Sequence, residues 1–166
     1  MVIDKDLILL DLTGDKETII STLAKKAFDQ GRLEDVQEYV QAVLKREKEY
    51  STALGYEVAI PHGQTDTVKD PFVVFGRVND PIIWDSNSVR LIFMIGVPEH
   101  NKDRIHMKIL ANISRKLIDD SFRQSLIDAK DEKEIYEIIV SPKISYTSLY
   151  SSWSGICRIF YEGNMD

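Results

Sequence analysis

The chain has 166 residues, a single cysteine and a formal net charge of −6, with 43% hydrophobic and 29% charged residues. This composition fits one soluble globular domain with a sizeable core. It excludes an intrachain disulfide and, taken as a whole, opposes nucleic-acid binding, which needs a dense basic surface; a local basic patch stays open. No window approaches the roughly 20 apolar residues of a membrane helix. The start, Met1-Val2-Ile3-Asp4-Lys5-Asp6, lacks the basic region and long apolar core of a signal peptide. With one cysteine, the expected location is the cytoplasm.

In chain order, Leu7–Leu12 is a short apolar run with strand character, broken by Thr13-Gly14-Asp15. The spacing of Ile19, Ile20, Leu23, Ala24, Ala27 and Phe28 predicts a helix over about Lys16–Gln30, stopped at Gly31. Val36, Tyr39, Val40, Val43 and Leu44 predict a second helix over about Glu34–Lys48. Pro71–Val78 and the nearly continuous Val89–Val97 read as strands, the latter buried on both faces of a sheet. A long helix is expected from about Lys102 to Ile118, with Ile105, Ile109, Ile113 and Leu117 as core candidates, then shorter ones over Ser121–Asp128 and Asp131–Val140. Strands interleaved with helices indicate a single-domain α/β layer fold. After Ser141 the character changes: Ile144–Cys157 carries no charge and is rich in serine and tyrosine, so residues 144–166 are set apart as an extension that docks on the domain or stays disordered.

Phosphate-loop, dinucleotide-turn and nucleophile-elbow motifs are absent. Cys157 has no partner cysteine for dithiol or zinc chemistry. Three histidines remain: His62, His100 and His106. Pro61 restricts Ile60 to extended backbone and fixes its own φ, and Gly63 supplies freedom after the histidine. His62 is therefore expected on a defined turn at the end of an apolar run, a good mount for an imidazole. From the local residues alone, an ordinary turn histidine is the competing reading.

Glu47, Leu54-Gly55 and Val58-Ala59-Ile60-Pro61-His62-Gly63 resemble the phosphorylation-site signature of enzyme IIA of the fructose–mannitol class, part of the bacterial phosphoenolpyruvate-dependent sugar phosphotransferase system. The spacing from the acidic residue to Pro-His-Gly matches without a gap. The resemblance runs from about Asp4 to Val140 and takes in Pro71, Trp84 and the Val89–Pro98 strand. It implies a central mixed β-sheet covered by helices on both faces. It also implies a reaction: the phosphocarrier HPr phosphorylates His62 on Nε2, and His62 passes the group to a cysteine of enzyme IIB for sugar uptake. The IIB acceptor is expected on a separate polypeptide, and the membrane is reached only indirectly, through enzymes IIB and IIC. No cofactor or metal is called for.

The same resemblance assigns supporting roles. Arg46 corresponds to a site arginine that pairs with phosphoryl oxygens or a partner's acidic group; the alternative is an arginine favoured by the helix C-terminus. His106, in Asp103–Leu110, corresponds to a second histidine that donates to the phosphoryl oxygens; the alternative is a helix-surface histidine. Thr52 offers a hydroxyl to the imidazole or phosphoryl group, or is a polar loop residue. His100, in Pro98-Glu99-His100-Asn101, is given no role. Two other functions stay in view: a regulatory, nitrogen-related member of the same fold, and a metal-dependent hydrolase built on the three histidines, whose spacing matches no zinc pattern.

Overall fold

The computed structural model describes residues 2–100 and 105–141, and only the backbone of Ile105 and His106. Residues 142–166, including the proposed extension and Cys157, lie outside the described residues.

After a 3-10 turn (Lys5–Leu7) come β1 (Ile8–Leu12), α1 (Lys16–Asp29) and α2 (Val36–Glu49). Three short strands follow, β2 (Ala53–Gly55), β3 (Val58–Ala59) and β4 (His62–Gln64), then the long pair β5 (Phe72–Trp84) and β6 (Asn87–Val97). The chain continues with α3 (Ile105–Leu117), α4 (Asp120–Asp128) and α5 (Glu132–Val140). Each helix start with a described cap is a local sequence decision: Asp15, Asp35, Asp119 and Asp131 each accept a backbone N–H of the first turn through their side chain. Gly31, at φ +75°, takes the left-handed conformation that follows α1.

The six-stranded mixed sheet has the order β1-β5-β6-β3-β2, with β4 also pairing with β6. β5 and β6 form an antiparallel hairpin at its centre; β1 runs parallel to β5, and β3 and β4 run parallel to β6. Side chains paired in register share a face. Phe72, Val74 and Gly76, with their partners Gly96, Met94 and Ile92, lie on the face where Tyr39 of α2 and Leu23 of α1 pack. Val73, Phe75 and Phe93 lie on the other, where Val73 and Phe93 border a cavity with Ile109, Ile113, Phe122 and Ile139 of the C-terminal helices. Helices thus cover both faces. The same register, Val73↔Ile95↔His62, puts His62 on the α3 face.

Four differences from the sequence reading have physical causes. Phe28 is 42% exposed rather than buried on the α1 stripe, with Lys25 Nζ 5.9 Å from its ring centre. β5 does not end at Val78: the register shifts between Arg77 and Ile82, Asn79-Asp80-Pro81 falls in that irregularity, and the strand rejoins β6 through Trp84↔Asn87. The His62 segment is not a turn; it opens a strand. Finally, Gly63 has no left-handed φ, and a Cβ there would sit 3.1 Å from both Tyr39 Cε2 and Val43 Cγ2, so it is small to let α2 approach the strand.

Candidate functional site

The site grows from the last turn of α2. Glu47 follows Val40 and Val43 on the buried stripe of that helix, and its side chain is 3% exposed. A carboxylate there needs donors to offset desolvation. It has four: Lys16 Nζ at 3.0 Å, Trp84 Nε1 at 3.2 Å, Thr52 N at 3.3 Å and the Thr52 hydroxyl. Lys16 Nζ also reaches both carboxylate oxygens of Asp85 at 3.0 Å, on the turn between β5 and β6. Burial opposes the charge on Lys16, but hydrogen bonds and charge from Asp85 and Glu47 outweigh it and raise its pKa. Burial likewise pushes the Asp85 carboxyl up, but hydrogen bonds from Ser51 and Lys16 and the Lys16 charge bring it below its ordinary value. Arg46 is buried beside this group and donates from a terminal guanidinium nitrogen to the Tyr50 carbonyl at 2.7 Å.

The turn after α2 is therefore fixed from beneath, and it leads to the histidine. The carbonyl of fully buried Thr52 accepts the Ile60 N–H at 3.1 Å. The Ile60 carbonyl lies 2.9 Å from Nδ1 of His62. A carbonyl only accepts, so Nδ1 carries the proton, and the neutral ring then has its lone pair on Nε2. On the next strand, the Ile95 N–H donates to the Pro61 carbonyl at 3.0 Å. The Ile95 carbonyl accepts from the Tyr39 hydroxyl at 2.6 Å. Burial raises the Tyr39 pKa well above its ordinary value, which keeps that hydroxyl a donor. His62 itself is 9% exposed.

Of the residues singled out from the sequence, the structure joins Thr52 to His62 through Ile60, and sets Arg46 on the turn of α2 that leads into this segment. The Thr52 hydroxyl donates to Glu47. His106 occupies the second position of α3, with its side chain outside the described residues. His100 is exposed and sits 3.7 Å from Asp66. Among the described residues, no group of three His, Cys, Asp or Glu side chains is arranged to hold a metal, and no helix is long and apolar enough to cross a membrane. Sequence reading missed Lys16 and the structural part of Glu47. The available signal was an acidic residue continuing the Val40–Val43 stripe of the helix.

Residues 1–141 match the family model described as "Phosphoenolpyruvate-dependent sugar phosphotransferase system, EIIA 2". The chain is 34% identical over 127 residues to a fructose-specific EIIA component of Haloferax volcanii, covering 75% of this chain and 82% of that protein. It is 33% identical over 136 residues to a nitrogen regulatory protein of Bradyrhizobium diazoefficiens, covering 80% and 87%. It spans only 20% of the fructose-specific EIIABC component of Bacillus subtilis, at 34% identity and 75% of its own length. Among solved structures, it resembles the complex of enzyme IIA mannitol with phosphorylated enzyme IIB mannitol from Escherichia coli, with TM-score 0.70 and 26% identity, covering 82% of this chain and 96% of that one.

Proposed function

Because the chain belongs to the EIIA 2 family of the phosphoenolpyruvate-dependent sugar phosphotransferase system, and so to its phosphocarriers, we propose that His62 is its phosphorylated residue, loaded by phospho-HPr and unloaded onto a cysteine of enzyme IIB. The observation that carries this is the imidazole held at Nδ1 by the Ile60 carbonyl, which leaves Nε2 as the nucleophile.

In the loading step, the Nε2 lone pair forms a bond to phosphorus while the P–N bond of the donor phosphohistidine breaks, its electron pair returning to the donor nitrogen. Positive charge develops on the His62 ring, and the carbonyl at Nδ1–H is oriented to stabilise it. In unloading, a cysteine thiolate of enzyme IIB forms the S–P bond, the P–N bond breaks toward Nε2, and the ring returns to neutral. His106 supplies a donor to the phosphoryl oxygens, and Arg46 contacts those oxygens or a partner's acidic group. Thr52 acts from beneath. The carrier works in the cytoplasm, and residues 1–143 form the carrier unit, with 144–166 an appended extension. The partnership with enzyme IIB is supported by the solved IIA–IIB mannitol complex to which this fold is similar.

The test is incubation with phosphoenolpyruvate, enzyme I and HPr, followed by mapping of the phosphorylated residue. Label on Nε2 of His62 is expected; label on a serine, or none, overturns the assignment. A regulatory function is the second reading, favoured by a nitrogen regulatory relative as similar as the sugar-specific one. Adjacent genes for enzymes IIB and IIC favour sugar uptake; their absence, with phosphorylation-dependent capture of another protein, favours regulation.

A further inference from the structure

We propose that Glu47 and Thr52 are positioning residues that set the His62 ring through hydrogen bonds in series. The inference rests on the reading of His62 as the phosphorylated residue. Both donors of Thr52, its N–H and its hydroxyl, go to the Glu47 carboxylate. Its carbonyl is then aimed at the Ile60 N–H, 3.1 Å away, and the Ile60 carbonyl in turn takes Nδ1–H of His62 at 2.9 Å. Pro61 keeps Ile60 extended, so fixing one end of that residue fixes the other. Losing the grip on Thr52 frees the Ile60 carbonyl to drift, and with it the bond that decides which ring nitrogen holds the proton. An imidazole with its proton on Nε2 has no lone pair there to attack phosphorus.

The choice of a carboxylate supports this. Replacing buried charges by apolar groups is often neutral or stabilising, but an apolar side chain at Glu47 would leave the Thr52 N–H and hydroxyl and Trp84 Nε1 without this acceptor. A buried carboxylate that grips both donors of one residue fixes geometry, which an apolar side chain cannot do.

The test reads the tautomer directly. In 15N-labelled protein, long-range 1H–15N correlations of the His62 ring report which nitrogen is protonated, and the initial rate of labelling by phospho-HPr reports transfer. Thr52→Val keeps shape and removes the hydroxyl. It is expected to populate the Nε2–H form and to slow labelling by about 10–100-fold, the scale of a small misplacement at a reacting group. Thr52→Ser is expected to restore both readouts. Glu47→Gln, which keeps volume and one acceptor oxygen, should move both the same way, and gives an independent reading if the valine variant folds poorly. Ile135→Val, a core change on α5, should lower stability and move neither. Natively folded Thr52→Val or Glu47→Gln protein with the wild-type tautomer and rate overturns the proposal, as does an equal change in Ile135→Val. Because the tautomer is read in unphosphorylated protein, a wild-type chain that takes no phosphate overturns the proposed function and leaves this arm of the test intact.

Discussion

His62 and Gly63 are adjacent in β4, yet they lie on opposite faces of the sheet and meet different demands. His62 pairs with Ile95 on the α3 face, and its surroundings are a hydrogen-bond problem: a ring nitrogen held by a carbonyl, itself held from the α2 end. Gly63 pairs with Gly96 on the α2 face, and its surroundings are a packing problem: Tyr39, Val43 and Phe72 occupy the space where side chains would be. One face presents the histidine and the other sets how deeply the strand sits. Substitutions on the two faces should therefore separate activity from stability.

The largest effect is expected at the histidine. His62→Ala should abolish phosphate acceptance from phospho-HPr while the protein stays folded, as read by labelling and circular dichroism. Full labelling of the alanine variant would place the chemistry elsewhere. Next is His106→Ala, expected to slow transfer by about 10–1000-fold, the upper end being typical of a lost transition-state donor, with acceptance at His62 retained. Unchanged rates would remove His106 from the mechanism.

On the packing face the readout is stability. A Cβ at Gly96 would collide with the ring of Phe72, which is fully buried and meets Tyr39 edge-on at 5.4 Å. Gly96→Ala should therefore cost about 1–3 kcal/mol in chemical denaturation, the usual range for overpacking a core. Gly63→Ala meets its neighbours at 3.1 Å, a gap that small movements relieve, so its cost should lie at the low end, about 1 kcal/mol. A larger loss at Gly63 than at Gly96 would mean that α2 cannot give way and that Phe72 can.

The difference between the faces also explains what the sequence displayed. His62 stands out in the sequence because the signature around it is contiguous, and the helices are legible because their apolar stripes are local. The short strands β2, β3 and β4 were not, because two or three residues carry no period and become strands only against β6. Asn79-Asp80-Pro81 reads as loop, and its inclusion in β5 follows from pairing beyond it at Ile82 and Trp84. Gly63 reads as a source of backbone freedom because a sequence does not reveal which helix presses on a strand. Glu47 was visible as part of the signature, but its donors Trp84 and Lys16 lie 37 and 31 positions away, and only the fold brings them together.

The smallest expected effect concerns pH and the charges under the site. Asp85 has a folded pKa below its ordinary value of 3.8, so its stabilising contribution is present above that value and is lost as pH falls through the lower, folded one. Lys16 has a folded pKa above 10.5, so its contribution is present below that value and is lost as pH rises through the folded one. Between these limits the pair should give a plateau. Asp85 has a 45% exposed side chain, and water screens the pair, so Asp85→Asn should cost only about 0.2–1 kcal/mol on the plateau. The gap between wild type and Asp85→Asn, measured by denaturant unfolding across pH, should close below pH 3.8 and stay constant through neutrality. A gap that persists in acid would mean that Asp85 contributes through its neutral hydrogen bonds, with Lys16 held by Glu47 alone. Tyr39 should not enter this profile, since burial raises its pKa well above the ordinary value of 10.0. A loss of stability at milder alkaline pH that vanishes in Tyr39→Phe would show instead that the hydroxyl behind Ile95 ionises, and would add a titrating group to the face that already holds the Glu47–Lys16 pair.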